Sequence, residues 1–516
     1  MENRRILRCL WGGKVVYFGK LYSKVIIAEG ALYIMSKRIT SFLLLCAMLT
    51  SLAACGNAPD ETETAADTNA ADTIAETEEV ISDDLPERDF EGKVFTSLIP
   101  AWTAGLMAAE ELTGEVLNDA LYNRDRTVEA RFNTEIVSAI VDDAGAEMKN
   151  VVAAGDDLYQ IASDGIVSLG INLMQDWYLN AREIPYLNFE QPWYPSAVTN
   201  ELTYKDITFI FISDYSIASM DMTDCMFWNR DLAAEYALED IYDVVREGKW
   251  TRDKMEEMCL GAYQDVNGDG IRDDGDRYGV ALDFKGDPST ITFSFGHRVL
   301  QRQDDGTFKD VFYDEALVAQ VEWMYNMTHN EEAVNCQDAW NHGYNMFMLG
   351  NTLAGYGRIN MVSWGMRDSE IDYAIIPRPM YDEAQGKYIS TLAGSADAMV
   401  FLKTLGDREF AGIILEALAA ESYRECVTAY YDNVLSYKLV RDEGNMEMVE
   451  LIMDGRMYDF GYVYGAFESN GGGASFWIND IVKGNGDLTS YYQTRKSNWE
   501  NYMAGVYAKF DNYSAE

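Results

Sequence analysis

A chain of 516 residues is too long for one compact core, and its 48% hydrophobic and 13% aromatic content rules out wholesale disorder, so two or three globular domains are expected. Its formal charge is −44; the first 54 residues hold eight basic and two acidic side chains, leaving 33 basic against 83 acidic, a balance of −50, on residues 55–516. A field of that sign repels phosphate backbones and anionic lipid surfaces, which argues against nucleic acid as a partner and favours neutral or cationic ligands.

In chain order, the first informative segment starts at Met35. Ser36, Lys37 and Arg38 form a short basic head, residues 39–49 are largely apolar, and Leu52-Ala53-Ala54-Cys55-Gly56 follows. Basic head, apolar run and small residues before a cut are the parts of a secretory signal, and the run is shorter than the 18 or so residues that a membrane span needs. Leu52 to Cys55 resembles the bacterial lipobox. That resemblance implies cleavage before Cys55, lipid attachment to its thiol and anchoring at the extracellular face of the cytoplasmic membrane. An ordinary signal peptide is the alternative. Residues 1–34 then read as a mis-called start, 35–54 as the signal peptide, and 55–87, rich in Ala, Thr, Asp and Glu, as a disordered, self-repelling tether.

From residue 88 onward short β-like runs alternate with helical ones, the pattern of an α/β protein. Strands are expected at 94–99, 160–162, 207–212, 373–376 and 399–402. Leu117, Leu121, Val128 and Phe132 share one face of a helix, with Asn123, Arg124, Asp125 and Arg126 turned outward or sideways. A second helix starts at Thr251, whose hydroxyl suits the N-cap, with Asp253 at the positive end of the dipole. Cys225, Cys259, Cys336 and Cys426 form no C-x-x-C pair and read as free, buried thiols, with one or two bridges as the alternative.

Residues 265–276 carry the sharpest chemical pattern. Asp265, Asn267, Asp269, Asp273 and Asp276 offer side-chain oxygens at EF-hand-like spacing, Ile271 a backbone carbonyl, and Gly270 the turn, so a structural calcium ion is expected. Position twelve is Asp276 rather than glutamate, and a solvated Asp/Gly turn is the alternative. G-x-S-x-G, H-E-x-x-H and Walker patterns are absent, and His297, His329 and His342 lack helical metal-ligand spacing.

Aromatic residues at strand ends are the better signal of function, because sugar rings stack on Trp and Tyr while their hydroxyls need polar partners. Trp102, Asp164 and Tyr215, the last beside Asp214, fall at the ends of expected strands, where open α/β sheets gather ligands. Trp364 and Arg367 add a platform and a clamp, and Asp221 a further acceptor. Each also fits a purely structural role.

Several segments resemble the extracellular solute-binding proteins of ABC importers, the maltose-binding type. They include Asn118-Asp119-Ala120-Leu121-Tyr122-Asn123-Arg124, then Met226-Phe227-Trp228-Asn229-Arg230-Asp231-Leu232, then Gly248-Lys249-Trp250-Thr251, the 265–276 loop with Arg277-Tyr278-Gly279, and Ile375-Ile376-Pro377-Arg378-Pro379. The resemblance runs from about residue 88 to the C-terminus, with Arg378 departing from the small or apolar residue of many relatives. It implies an α/β, two-lobed periplasmic-binding-protein-like fold with hinge and interlobe cleft. Lobe one would hold 88–203 and 378–435, and lobe two 204–377 and 436–516, with the calcium loop away from the ligand. Function would then be capture of a small solute, a mono- or oligosaccharide, by a non-enzymatic monomer that delivers it to permease subunits. The competing reading is a surface-anchored carbohydrate-active enzyme using paired carboxylates.

Overall fold

The structure, a computed structural model, describes residues 10–11, 14–15, 81–366, 369–436, 443–466 and 473–514. They fall into two units, Met1–Val80 and Ile81–Glu516. In the first, Leu10–Trp11 pairs antiparallel with Lys14–Val15; the signal segment, Cys55 and the tether up to residue 80 lie outside the described residues. The tether boundary needs correcting. Asp83 is buried and pairs with Arg131 at 2.5 Å, and Leu85 packs on the core, so the packed body starts before residue 88.

Nine strands build two sheets. The first contains β1 (Lys93–Pro100), β2 (Thr134–Val141) and β3 (Ile161–Gly165). The second contains β4 (Asp224–Asn229), β5 (Tyr278–Asp283), β6 (Val334–Gln337), β7 (Thr352–Arg358) and β8 (Tyr373–Ile376). The chain then returns to the first sheet as β9 (Asp397–Val400). Their orders are β9-β3-β1-β2 and β6-β5-β7-β4-β8. β1 runs parallel to β2 and β3, and β5 parallel to β6 and β7, while β9, β4 and β8 join antiparallel.

The second sheet and the inner strands of the first are covered on two faces, which explains why several strands are continuous apolar runs with little alternation, whereas the edge strand β2 leaves Val137 and Ile140 exposed. Side chains on β4 alternate between cores: Cys225 and Phe227 enter one, Met226 and Trp228 the other. One shared core reaches from Leu98 and Ala162 in the first sheet to Trp228, Val280 and Ala354 in the second.

Expected elements are matched unevenly. The helix bearing Leu117 runs Val116–Phe132, and Thr251 caps Arg252–Cys259 by accepting from Lys254 N at 3.2 Å. Arg124 and Asp125, expected to face outward or sideways, are instead buried, paired at 2.7 Å and bonded into the body through Met107 O and Tyr215 O. Residues 207–212 form no strand; Phe209 and Ile210 enter one core and Phe211 another, and only Phe211 pairs with β9, at Met399. Cys225, Cys259, Cys336 and Cys426 are free thiols. No described helix is long and apolar enough to cross a membrane.

Candidate functional site

Strand polarity and register locate the site. The parallel strands β1, β2 and β3 end together, and β5, β6 and β7 do the same in the second sheet. Asp397, the first residue of β9, pairs with Gly165, the last of β3; Asp224, the first of β4, pairs with Arg358, the last of β7. Only a few residues separate these points. Leu392 bridges Thr223, Ala393 N donates to Met222 O at 3.0 Å, and Val167 N donates to Gly394 O at 3.1 Å. The two crossovers therefore lie side by side and join the carboxyl-terminal edge of one sheet to that of the other, which is where α/β sheets bind ligands.

Ten tryptophans lie between residues 81 and 514, and three of them are exposed: Trp102 at 44%, Trp340 at 62% and Trp364 at 52%. All three follow carboxyl ends of parallel strands, after β1, β6 and β7. Trp364 meets Tyr344 edge-on at 5.9 Å between ring centres. Around them, Arg358 Nη2 donates to Asn341 Oδ1 at 2.6 Å, and the Asp283 carboxylate accepts from Lys285 N, Gly286 N and Asn341 N.

Of the expected site residues, Trp102 and Trp364 present open rings. Asp164 is half-buried beside Gly145, Asn172 and Asp143; burial pushes its pKa up, Gly165 N opposes that, and Asp143 adds to it. Tyr215 is a correction. It is fully enclosed, its hydroxyl lies 2.7 Å from Ser97 Oγ and the Arg124 guanidinium covers its ring at 4.8 Å, so no face remains for a sugar. Asp221 is also committed elsewhere, accepting from Tyr430 Oη at 2.9 Å, with burial pushing its pKa up to about 6. Arg367 lies outside the described residues.

Sequence reasoning missed Trp340 because the strand before it, Val334–Gln337, alternates over only four residues, too few to mark a strand end. Asp397 was missed because the strand expected at 399–402 begins two residues earlier, at Asp397, which opens the strand instead of following its end. It is fully buried where the crossovers meet, both carboxyl oxygens lack hydrogen-bond partners, and burial pushes its pKa up to about 8, with the Ser216 and Ser163 hydroxyls lowering it and Asp164 raising it. Those two hydroxyls lie close enough to influence the acid, but neither meets its oxygens with hydrogen-bonding geometry. A separate cavity, lined by Met255, Cys259, Val280, Met327 and Ala333 together with Glu256, Asn326 and Asn330, is displaced from the strand ends.

The 265–276 loop precedes β5 and so sits at the opposite edge of the sheet. Gly268 and Gly270 take left-handed φ values of 72° and 71°. Asp265 accepts from Gly268 N and Gly270 N, Asp269 from Ile271 N, and Asp273 from Gly275 N. These carboxylates bond the loop's own amides, and no group of three or more His, Cys, Asp or Glu side chains poised for a metal ion occurs among the described residues. Asp276 is the exception in its surroundings: fully buried, it takes Tyr263 Oη at 3.0 Å on Oδ2, while Oδ1 has no partner.

No family model and no curated protein matches the chain. Solved structures do. An ABC substrate-binding protein of Listeria monocytogenes in complex with cycloalternan is 10% identical, covering 80% of this chain and 99% of its own, at a TM-score of 0.50. An ABC transporter solute-binding protein of Thermotoga lettingae bound with α-D-tagatose is 15% identical, covering 80% and 100%, also at 0.50. UspC of M. tuberculosis gives 12% identity, 79% and 100% coverage and the same TM-score. The chain has the α/β fold of these binding proteins.

Proposed function

We propose that this chain is a cell-surface solute-binding lipoprotein that captures a carbohydrate between the carboxyl-terminal edges of its two sheets and delivers it to the permease of an ABC importer. One observation carries the reading: every exposed tryptophan of the described body follows a parallel strand on one of those edges. Stacking faces beside polar side chains are what neutral sugars require. Fold likeness to proteins solved with cycloalternan and tagatose supports it. Lobe one is assigned to the β9-β3-β1-β2 sheet and lobe two to the β6-β5-β7-β4-β8 sheet.

A glycan panel read by thermal shift tests the reading, since a ligand of the native state raises apparent stability. Stoichiometric binding without turnover is expected, and Trp102→Ala or Trp364→Ala should weaken the best ligand about tenfold, on the order of 1 kcal/mol. Hydrolysis of a glycan would favour the competing enzyme, and a peptide as best ligand would sink the substrate class.

Two further elements belong to this reading. Cys55 carries the lipid anchor, so mass spectrometry of the membrane fraction should find an N-terminal diacylglyceryl-cysteine; a Cys55→Ala protein that stays equally membrane-bound contradicts it. The 265–276 loop holds calcium through Asp265, Asn267, Asp269, Asp273, Asp276 and the Ile271 carbonyl, an assignment supported by the unpartnered Asp276 Oδ1. Chelation should lower the melting temperature of the parent and leave an Asp265→Ala, Asp269→Ala variant unmoved. An identical melting curve with and without chelator removes the site.

A further inference from the structure

We propose that Trp340 is an outer stacking platform for a second or later sugar unit, which makes the solute an oligosaccharide rather than a single sugar. This rests on the carbohydrate reading and extends it to ligand length. Trp340 is 62% exposed, yet it is mounted rigidly.

The mount is built from three strand ends. Asp283, itself buried, closes β5. Its Oδ1 accepts from Lys285 N and Gly286 N, both at 2.8 Å, and its Oδ2 from Asn341 N at 2.9 Å. One carboxylate thus ties the loop after β5 to the loop after β6, and Trp340 lies between them. Asn341 is left-handed, with φ of 63°, and its side chain is held by Arg358 from the end of β7. On the other side Asp338 meets Lys285 at 3.1 Å and Lys483 at 2.5 Å. These half-exposed ion pairs contribute little stability, but they fix position.

Gly286 completes the arrangement. Its φ of −139° requires no glycine. A β-carbon there would lie 3.2 Å from Trp340 Cζ3, so the missing side chain makes room for the ring. An indole held this firmly and left open to water is disfavoured by its own hydration and suited to a ligand face, because a preorganised ring loses little freedom on binding. Trp340 follows β6, the strand at one outer edge of its sheet, whereas the crossovers meet the sheet at β4 and β8, toward the opposite edge. A ligand anchored beside the crossovers reaches Trp340 only if it extends across the strand ends, and a single sugar ring does not.

Calorimetry with one- to six-unit series of α-gluco-, β-manno- and β-xylo-oligosaccharides tests this. For the parent, the dissociation constant should fall with chain length. Trp340→Ala should erase that fall, weakening the longest bound member about tenfold while leaving any single-sugar affinity within about twofold. Trp340→Phe should keep most of the gain and Gly286→Ala part of it. The proposal is overturned if the parent binds the single sugar as tightly as its oligomers, or if Trp340→Ala weakens both equally or neither. Failure of every series to bind overturns the carbohydrate reading itself, a result distinct from a length-independent affinity.

Discussion

Arg378→Met should destabilise the protein by about 3–5 kcal/mol at pH 8, the cost of leaving buried charge unpaired. Arg378 is 2% exposed. Its guanidinium lies 3.4 Å from Asp224 and 3.1 Å from Asp287, donates to Thr290 Oγ1 and stacks over Tyr356 at 5.1 Å. Asp224 also accepts from Thr391 Oγ1 at 2.7 Å, so the cluster ties the second crossover to β4 and to the helix after β5. Removing the cation strands two carboxylates. Burial, with the Asp283 charge, already pushes the Asp287 pKa up to about 7, held there against Arg378. Without Arg378 it rises further, and a carboxyl whose folded pKa is raised loses stability as pH rises. The deficit should therefore shrink toward pH 5.5, and Asp224→Asn added to Arg378→Met should recover part of it. Denaturant unfolding at the two pH values checks this; an unchanged midpoint at pH 8 contradicts it.

Asp397→Asn should stabilise the protein, increasingly so as pH rises. Asp397 has no cation beside it and no well-formed hydrogen bond, and burial raises its pKa to about 8 against the nearby Ser216 and Ser163 hydroxyls. Because that lies above the unfolded value, the group's contribution is fully present below about pH 4 and is lost as pH rises through about 8. Asparagine keeps the shape and removes the titration. The stability difference between variant and parent should grow by about 1.4 kcal/mol per pH unit between pH 5 and 7. A difference that does not change with pH rules the argument out. Asp214 and Glu416, each raised to about 7 mainly by burial, act in the same direction, so the parent should be less stable at pH 8 than at pH 5.

What the sequence disclosed divides along physical lines. Helices with a clear cap or a clear apolar stripe were legible: Thr251 and the Leu117 face were read correctly because local chemistry determines them. Strands 224–229, 278–283 and 352–358 were not, because strands buried on both faces lose the alternation that would mark them. The same loss misplaced 207–212, where a continuous apolar run feeds two cores instead of a ladder. At the site, Trp102 stands open after the strand the sequence placed before it, Trp364 stands open after a strand the sequence did not show, and Tyr215 and Asp221 belong to the packing between crossovers. Residue type suggests sugar chemistry, but only register shows which rings stay uncovered. Arg378, marked in the sequence only as a departure from many relatives, holds a buried ion cluster at the junction.

The antiparallel pairing of β9 with β3 also governs the order in which the chain can fold. Residue 165 waits for residue 397, and all five strands of the second sheet are synthesised in between. A nascent chain that stops short of β9 presents β3 with an unpaired edge and leaves Phe401, Ile414 and Leu418 missing from the core behind it. Contacts of such long sequence separation close late and slowly. The first sheet therefore cannot mature on the ribosome ahead of the second, and that half of the polypeptide stays loose until β9 is made. Export as a lipoprotein, as proposed above, would call for such a delay, because a translocation channel passes an unfolded thread.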